Sequence, residues 1–185
     1  MKTNLKHIAN IQTGLFAKTD AEGDIVYLQV KDFDENGHIR LPLHAELKAK
    51  AAYEKHILQT GDVLFAAKGN KNFAAIFEGQ NESCVASTTF FVIRLTDLTI
   101  MPSYLVFYLN HPDIQKLLKA NAIGTSIPSI SKGVLEELEI TIPDLNTQKK
   151  IIHITELQKK GKKLRQQIEY LRDKQIQQQI INAIK

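Results

Sequence analysis

The sequence predicts an α+β fold: a domain of mixed strands and helices over residues 1–146, followed by one long helix over residues 147–185. Up to Pro143, short β-rich segments between turn signals alternate with helical patterns, which is typical of a mixed domain. From Thr147 onward there is no proline and only one glycine. Apolar residues recur there at alternating intervals of three and four, the spacing of a coiled-coil helix.

The first half of the domain is predicted to consist mainly of strands. β-branched and aromatic residues between turn signals indicate strands over 5–11, 24–31, 63–67 and 73–77. A helix is expected over residues 44–55, because this stretch is rich in alanine, glutamate and lysine. The sequence KGNKN at 68–72 is polar and contains glycine, so it is expected to form the loop between two neighbouring strands.

The second half of the domain mixes both kinds of element. Residues 84–95 hold at least one long apolar strand, and Leu138 begins a last strand that Pro143 ends. Pro102 and Pro112 each fit the first position of a helix, where the missing N–H has no cost. Ser131, after a loop at 124–131, can cap a short helix.

The long helix, with Thr147 as its expected cap, would be about 39 residues and about 58 Å long. Its apolar residues define a seam, and Ile176, Ile180 and Ile184 continue it one residue out of phase. Left exposed, each seam residue would lose about 1.5–3 kcal/mol of burial. We therefore expect a homodimer in which a second copy buries the seam. The dimerisation residues are Ile154, Leu157, Leu164, Ile168 and Leu171.

Charge is distributed unevenly along the chain. Residues 1–146 hold 14 Lys+Arg and 17 Asp+Glu, a net charge of −3, whereas residues 147–185 hold 10 and 3, a net charge of +7. If the domain binds nucleic acid, it must therefore use a local basic patch. Neither a membrane-spanning run nor a signal peptide is recognisable, so no membrane contact and a cytoplasmic location are expected.

Motifs of enzymes and cofactor sites are missing. The sequence contains neither GxxxxGK[ST] nor GxGxxG, and no cofactor is expected. One cysteine and six scattered histidines predict no metal site. The alternative of a small metal-dependent nuclease rests on Asp34, Glu46 and Lys48, but the last two fall in a predicted helix, where a solvated surface is the simpler interpretation. Ser129 and Lys132 match Ser-x-x-Lys, and Cys84 follows a turn; a loop and a buried thiol explain them.

Six segments together resemble one half of the specificity subunit of type I restriction–modification enzymes. They are HIANIQTG (7–14), YLQVKD (27–32), LQTGDVLFAAKGN (58–70), VASTTFFVIR (85–94), PSYLVFYLN (102–110) and GTSIPSISKGVLEELEITIPDLNTQKKII (124–152). The last is the most specific, since Gly-x-Ser-x-Pro-x-Ile, Leu-x-x-Leu and Ile-x-Ile-Pro recur in that family in this order.

The resemblance implies a function without catalysis. A full-length subunit of that family carries two target-recognition domains, each followed by a long helix; the helices pack antiparallel, and each domain reads one half of a split DNA site. This chain resembles a half-subunit, with residues 1–146 as the target-recognition domain and 147–185 as the dimerisation and spacer helix. The implied partners are double-stranded DNA, methyltransferase subunits, and a second copy or another half-subunit.

Contacts to DNA are expected from polar loops, because asparagine can pair with adenine and lysine can reach guanine or phosphate. The expected DNA-binding residues are Lys31, Lys68, Asn70, Lys71, Asn72, Thr125, Ser126 and Lys132. The basic run KKGKKLR at 159–165 is either a solvated helix face or a stripe facing phosphates. A coiled-coil assembly protein that binds no nucleic acid is the remaining alternative.

Overall fold

The computed structural model describes residues 1–20, 22–34, 37–69, 71–80, 82–124 and 128–184. Two compact units are present, Met1–Leu145 and Asn146–Lys185. The strands are β1 Lys2–Asn4, β2 Ala9–Thr13, β3 Ile25–Leu28, β4 Ala45–Leu47, β5 Val63–Ala66, β6 Ala74–Ile76, β7 Ser83–Ala86, β8 Phe90–Leu95 and β9 Glu139–Thr141. The α-helices are α1 Pro102–Asn110, α2 Pro112–Ala120, α3 Lys132–Glu136 and α4 Leu145–Ile184.

The described strands of the first unit form three sheets. Four antiparallel strands follow the order β2-β8-β5-β6, so the apolar strand β8 lies inside this sheet. A second sheet has the order β4-β3-β7, with β3 antiparallel to β4 and parallel to β7. β1 and β9 form a separate antiparallel pair. Mixed sheets followed by a long helix make the fold α+β, as the sequence predicts.

Alternate residues of the two larger sheets form the main apolar core. Side chains of a strand point to opposite faces in turn, so one face of each strand enters the core. The cluster comprises Val26, Leu28, Phe33, Leu58, Leu64, Ala66, Ala75, Phe77, Cys84, Ala86, Phe90 and Val92. Ile25, Tyr27, Leu47 and Val85 form a second cluster from the other face of the smaller sheet.

The start of the β5–β6 hairpin is fixed by an ion pair. Asp62 is 2% exposed and accepts two hydrogen bonds from the Arg94 guanidinium on β8, at 2.6 and 2.7 Å. It also accepts the backbone N–H of Gln59 at 2.8 Å. The hydrogen bond to Asp62 raises the pKa of Arg94 above its ordinary value. The ion pair therefore ties the Gly-Asp-Val-Leu segment, where β5 begins, to the neighbouring strand β8.

Helix α1 ties β6 and β9 to the domain. The Tyr104 and Tyr108 hydroxyls, one helical turn apart, donate to the carbonyl oxygens of Thr141 and Glu139 at 2.8 and 3.0 Å. The side-chain amide of Asn110 donates to the carbonyl of Ala74 and accepts its N–H, at 2.8 and 2.9 Å. Asn110 thus pairs with both peptide groups of Ala74 at the edge of β6, as a residue of a further strand would.

Three sequence expectations are wrong in detail. Residues 44–55 form strand β4 and a 3₁₀ turn at Ala51–His56, because β4 pairs with β3 and this pairing overrides helix propensity. The first part of the predicted strand 5–11 is a 3₁₀ turn at Leu5–His7, and the strand, β2, begins only at Ala9. Helix α4 begins at Leu145, so Thr147 lies inside its first turn and is not the cap. Ser131 does cap α3, accepting the N–H of Val134 at 3.3 Å.

We predict that Asn110→Ala lowers the free energy of unfolding by about 1–2 kcal/mol, because the peptide groups of Ala74, a residue only 1% exposed, lose their partners. Urea denaturation followed by circular dichroism measures the change. Asn121→Ala is the matched control: Asn121 also ends a helix, but its amide bonds only the exposed helix end at Leu117, so a change within about 0.5 kcal/mol is expected. Equal losses of stability in the two variants would contradict the role of Asn110.

Candidate nucleic-acid interface

The loop between β5 and β6 is held by backbone hydrogen bonds at its base. Ala67 donates to the carbonyl of Thr89 at 2.9 Å, and Ala66 donates to that of Phe73 at 2.8 Å. The Asn72 side-chain nitrogen donates to the carbonyl of Ala66 at 3.0 Å. These bonds fix where the loop starts and ends, while Lys68 and Lys71 are exposed.

The same loop pairs with a segment about 60 residues further along the chain. Gly69 donates to the carbonyl of Pro128 at 3.0 Å, and Ile130 donates to that of Ala67 at 2.9 Å, so Lys68 and Ser129 form an antiparallel bridge. Gly69 has φ +99°, a conformation that only glycine adopts readily. We call residues 67–69, 71 and 72 together with 128–132 the two-loop surface.

The second loop is fixed independently of the first. Ile123 and Ser129 exchange both backbone hydrogen bonds at 2.9 Å and so form a second antiparallel bridge. Ile130 is 1% exposed and anchors the segment in the core. Lys132 follows directly and lies 3.3 Å from Glu136 in an exposed ion pair, a contact weak enough to exchange for a phosphate. The backbone is therefore held while the polar side chains face solvent.

Lys31 lies on a turn that is followed by Phe33, a residue that packs against the end of the β5–β6 loop. It is exposed on a 3₁₀ turn at Val30–Asp32 that Asp32 caps by accepting the N–H of Gln29 at 2.7 Å. Two residues later, the ring of Phe33 packs against Phe73, the residue that ends the β5–β6 loop, with centroids 5.6 Å apart. The turn is thus packed beside the end of the two-loop surface.

The expected contact residues fall into three groups. Lys68, Lys71, Asn72 and Lys132 belong to the two-loop surface, and Lys31 lies on the adjoining turn. Asn70, Thr125 and Ser126 lie outside the described residues. One proton of the Asn72 amide is committed to Ala66, so a bidentate contact with adenine would have to use the other.

Sequence reasoning missed the residues that join the two loops. Gly69, Pro128 and Ile130 act through backbone bonds, so no side-chain motif announces them. A glycine between two lysines and a proline between two Ser-Ile pairs are the available local signals. Neither signal reveals that the segments are neighbours.

Asp34 and Glu46, the acidic residues of the nuclease interpretation, lie on different elements. Glu46 is on strand β4, so the helical placement used against a nuclease is wrong, but Asp34 accepts the N–H of its neighbour His38 in a local turn. The described residues contain no group of three or more His, Cys, Asp or Glu that could hold a metal ion. Burial raises the pKa of the Cys84 thiol to about 11, so it is a neutral core residue at pH 7.

The seam residues lie on α4 and are all exposed. The exposed fractions of Ile154, Leu157, Leu164, Ile168 and Leu171 range from 50% to 60%. A stripe of apolar side chains exposed to solvent is typical of a helix that packs against another helix. Among the described residues, no helix is long and apolar enough to cross a membrane.

The protein-family model described as 'Type I restriction modification DNA specificity domain' matches residues 1–170 of this chain. The chain belongs to this family. The match therefore agrees with the resemblance found in the sequence.

One curated protein and two solved structures are similar to parts of this chain. A putative type I restriction enzyme specificity subunit of Methanocaldococcus jannaschii is 31% identical over 106 residues, which cover 54% of this chain and 24% of that protein. The crystal structure of the type I S subunit from M. genitalium is similar at 16% identity and a TM-score of 0.60, covering 85% of this chain and 38% of that one. The HsdS subunit from Thermoanaerobacter tengcongensis is similar at 17% identity and a TM-score of 0.63, covering 90% and 39%.

These solved structures share the fold with this chain. The chain spans about two fifths of their length, and its match covers about a quarter of the curated relative. The family domain thus occurs here once over residues 1–170, the first unit and most of α4.

Proposed function

We propose that this member of the specificity family reads one half of a bipartite DNA site and brings methyltransferase subunits to it. The two-loop surface supports the proposal, because backbone hydrogen bonds join the segment that carries Lys68 to the segment that leads to Lys132. Base reading requires side chains that enter a groove in a defined register. Loops anchored at both ends to the core meet that requirement better than free loops.

The two units have separate tasks in this proposal. Residues 1–146 are the target-recognition domain, and residues 147–185 are the dimerisation and spacer helix. The exposed seam of α4 supports this division, since its five apolar residues need a partner helix from a second copy or another half-subunit. Antiparallel pairing would set the distance between two readers, and identical readers would select an inverted repeat. The site of action would be the cytoplasm, where the DNA is.

Replacing Lys68 and Lys71 by Ala should weaken binding to duplex DNA and reduce its salt dependence. Each phosphate that the protein no longer neutralises lowers the slope of log K against log salt by about 0.9. Fluorescence anisotropy across a sodium chloride series measures the slope. Lys48→Ala with Lys55→Ala is the control, since both lysines are exposed and lie outside the two-loop surface. An unchanged slope in the Lys68/Lys71 variant would reject this loop as a phosphate-binding element.

Replacing Leu164 and Leu171 by Lys should give a folded monomer, because two charges in the seam cannot be buried against a partner helix. Sedimentation velocity should show the native chain as a dimer and the variant as a monomer with unchanged secondary structure. Gln166→Lys with Tyr170→Lys adds the same charge on the opposite face of α4 and should remain dimeric. A dimeric Leu164/Leu171 variant would show that the seam does not hold the dimer together.

A further inference from the structure

Seven basic residues lie on one stretch of α4. We call this stretch, residues 149–165, the basic segment. They are Lys149, Lys150, Lys159, Lys160, Lys162, Lys163 and Arg165. Glu156 is the one acidic residue between them, so the segment has a net charge of +6. All seven cations are exposed, and within the described part of the chain none of them forms an ion pair. Like charges at this density repel one another and destabilise an isolated helix.

The position of these cations around the helix keeps them clear of the apolar seam. With Leu157, Leu164 and Leu171 at the same heptad position, Lys159, Lys162 and Lys163 fall on the opposite face. Lys160 and Arg165 flank the seam on its two sides. A partner helix over the seam would therefore leave the three lysines of the opposite face free. A ligand that neutralises them must be something other than the dimer partner.

The globular unit cannot supply a general attraction for DNA. Residues 1–146 have a net charge of −3, and one cation of the two-loop surface, Lys132, already faces Glu136. Contacts to phosphate nevertheless provide the sequence-independent part of DNA affinity. The lysines of the two-loop surface can contribute part of it, but the excess of positive charge lies in the basic segment.

We propose that the basic segment of α4 binds the phosphate backbone of double-stranded DNA outside the bases that the domain reads. The inference rests on the proposed function, since it assumes that the chain binds DNA. The segment is about 24 Å long at 1.5 Å per residue. Duplex DNA carries about 14 phosphates over that length. In the sequence, the basic segment begins four residues after the globular unit ends at Leu145.

This arrangement divides affinity from specificity. The basic segment supplies attraction that is independent of sequence and sensitive to salt, while the two-loop surface supplies discrimination between bases. The charge on the helix then holds the duplex along the spacer between half-sites, where no base is read.

The test replaces Lys159, Lys162 and Lys163 together by Gln in the full chain. Glutamine keeps the helix propensity and leaves the seam intact, so fold and dimer should persist in circular dichroism and sedimentation. Binding to a duplex of random sequence is measured by anisotropy across a salt series. The slope of log K against log salt should fall by about 0.9 for each phosphate that is no longer neutralised, up to about 2.7 for three lysines.

The control removes the same charge from the globular unit. Lys18→Gln, Lys48→Gln and Lys55→Gln alter three exposed lysines and should leave the slope nearly unchanged. A native chain that binds DNA with the same slope as the Lys159/Lys162/Lys163 variant would overturn this proposal and leave the proposed function standing. A second result would also overturn this proposal: equal slopes for the native chain and the Lys159/Lys162/Lys163 variant, together with failure of that variant to co-purify a methyltransferase subunit. The basic segment would then bind an acidic protein surface. A native chain that binds no DNA would overturn both.

Discussion

The backbone pairing between Ala67–Gly69 and Pro128–Ile130 is the constraint on which the proposed recognition surface depends. Two hydrogen bonds, 2.9 and 3.0 Å long, join loops that are about 60 residues apart in the chain. Gly69 can take part because it adopts φ +99°, and Ile130 holds the other strand of the bridge in the core. Without this pairing each loop would present its lysines separately. Discrimination between bases needs them in one register.

The rest of the domain supports that pairing. Asp62 and Arg94 fix the start of the β5–β6 hairpin, and Asn110 satisfies its far edge at Ala74. Phe33 packs on Phe73 at the end of the loop and brings the turn with Lys31 alongside. A rigid scaffold with polar loops suits a family whose targets vary, since side chains can change at the loop tips while the buried contacts remain.

Sequence patterns predict elements well where the signal is local. Pro102 and Pro112 open α1 and α2, and Ser131 caps α3, because the cost of an unsatisfied helix end is decided by one or two residues. The helix expected over residues 44–55 is wrong because β4 is fixed by its pairing with β3, a tertiary contact that helix propensity does not report. The same reason hides the candidate site: Lys68 and Lys132 can each be named from composition, but their closeness depends on the bridge to Ser129.

The domain and the long helix carry opposite net charges. Under the two proposals, the acidic domain would read bases, the basic helix would supply general attraction, and the exposed seam would place two readers at a set distance. The seam and the lysines at positions 159, 162 and 163 belong to opposite faces of α4, so a partner helix and a duplex could occupy α4 at the same time.

Methylome sequencing of cells with and without the gene tests the central claim most directly. The account predicts that methylation at one bipartite motif disappears without the chain. It also predicts that exchanging the residues of the β5–β6 loop alters the bases read while the spacer length stays the same, because α4 sets the spacing. An unchanged methylome in cells that lack the chain, with a methyltransferase subunit present, would contradict its role as a DNA reader.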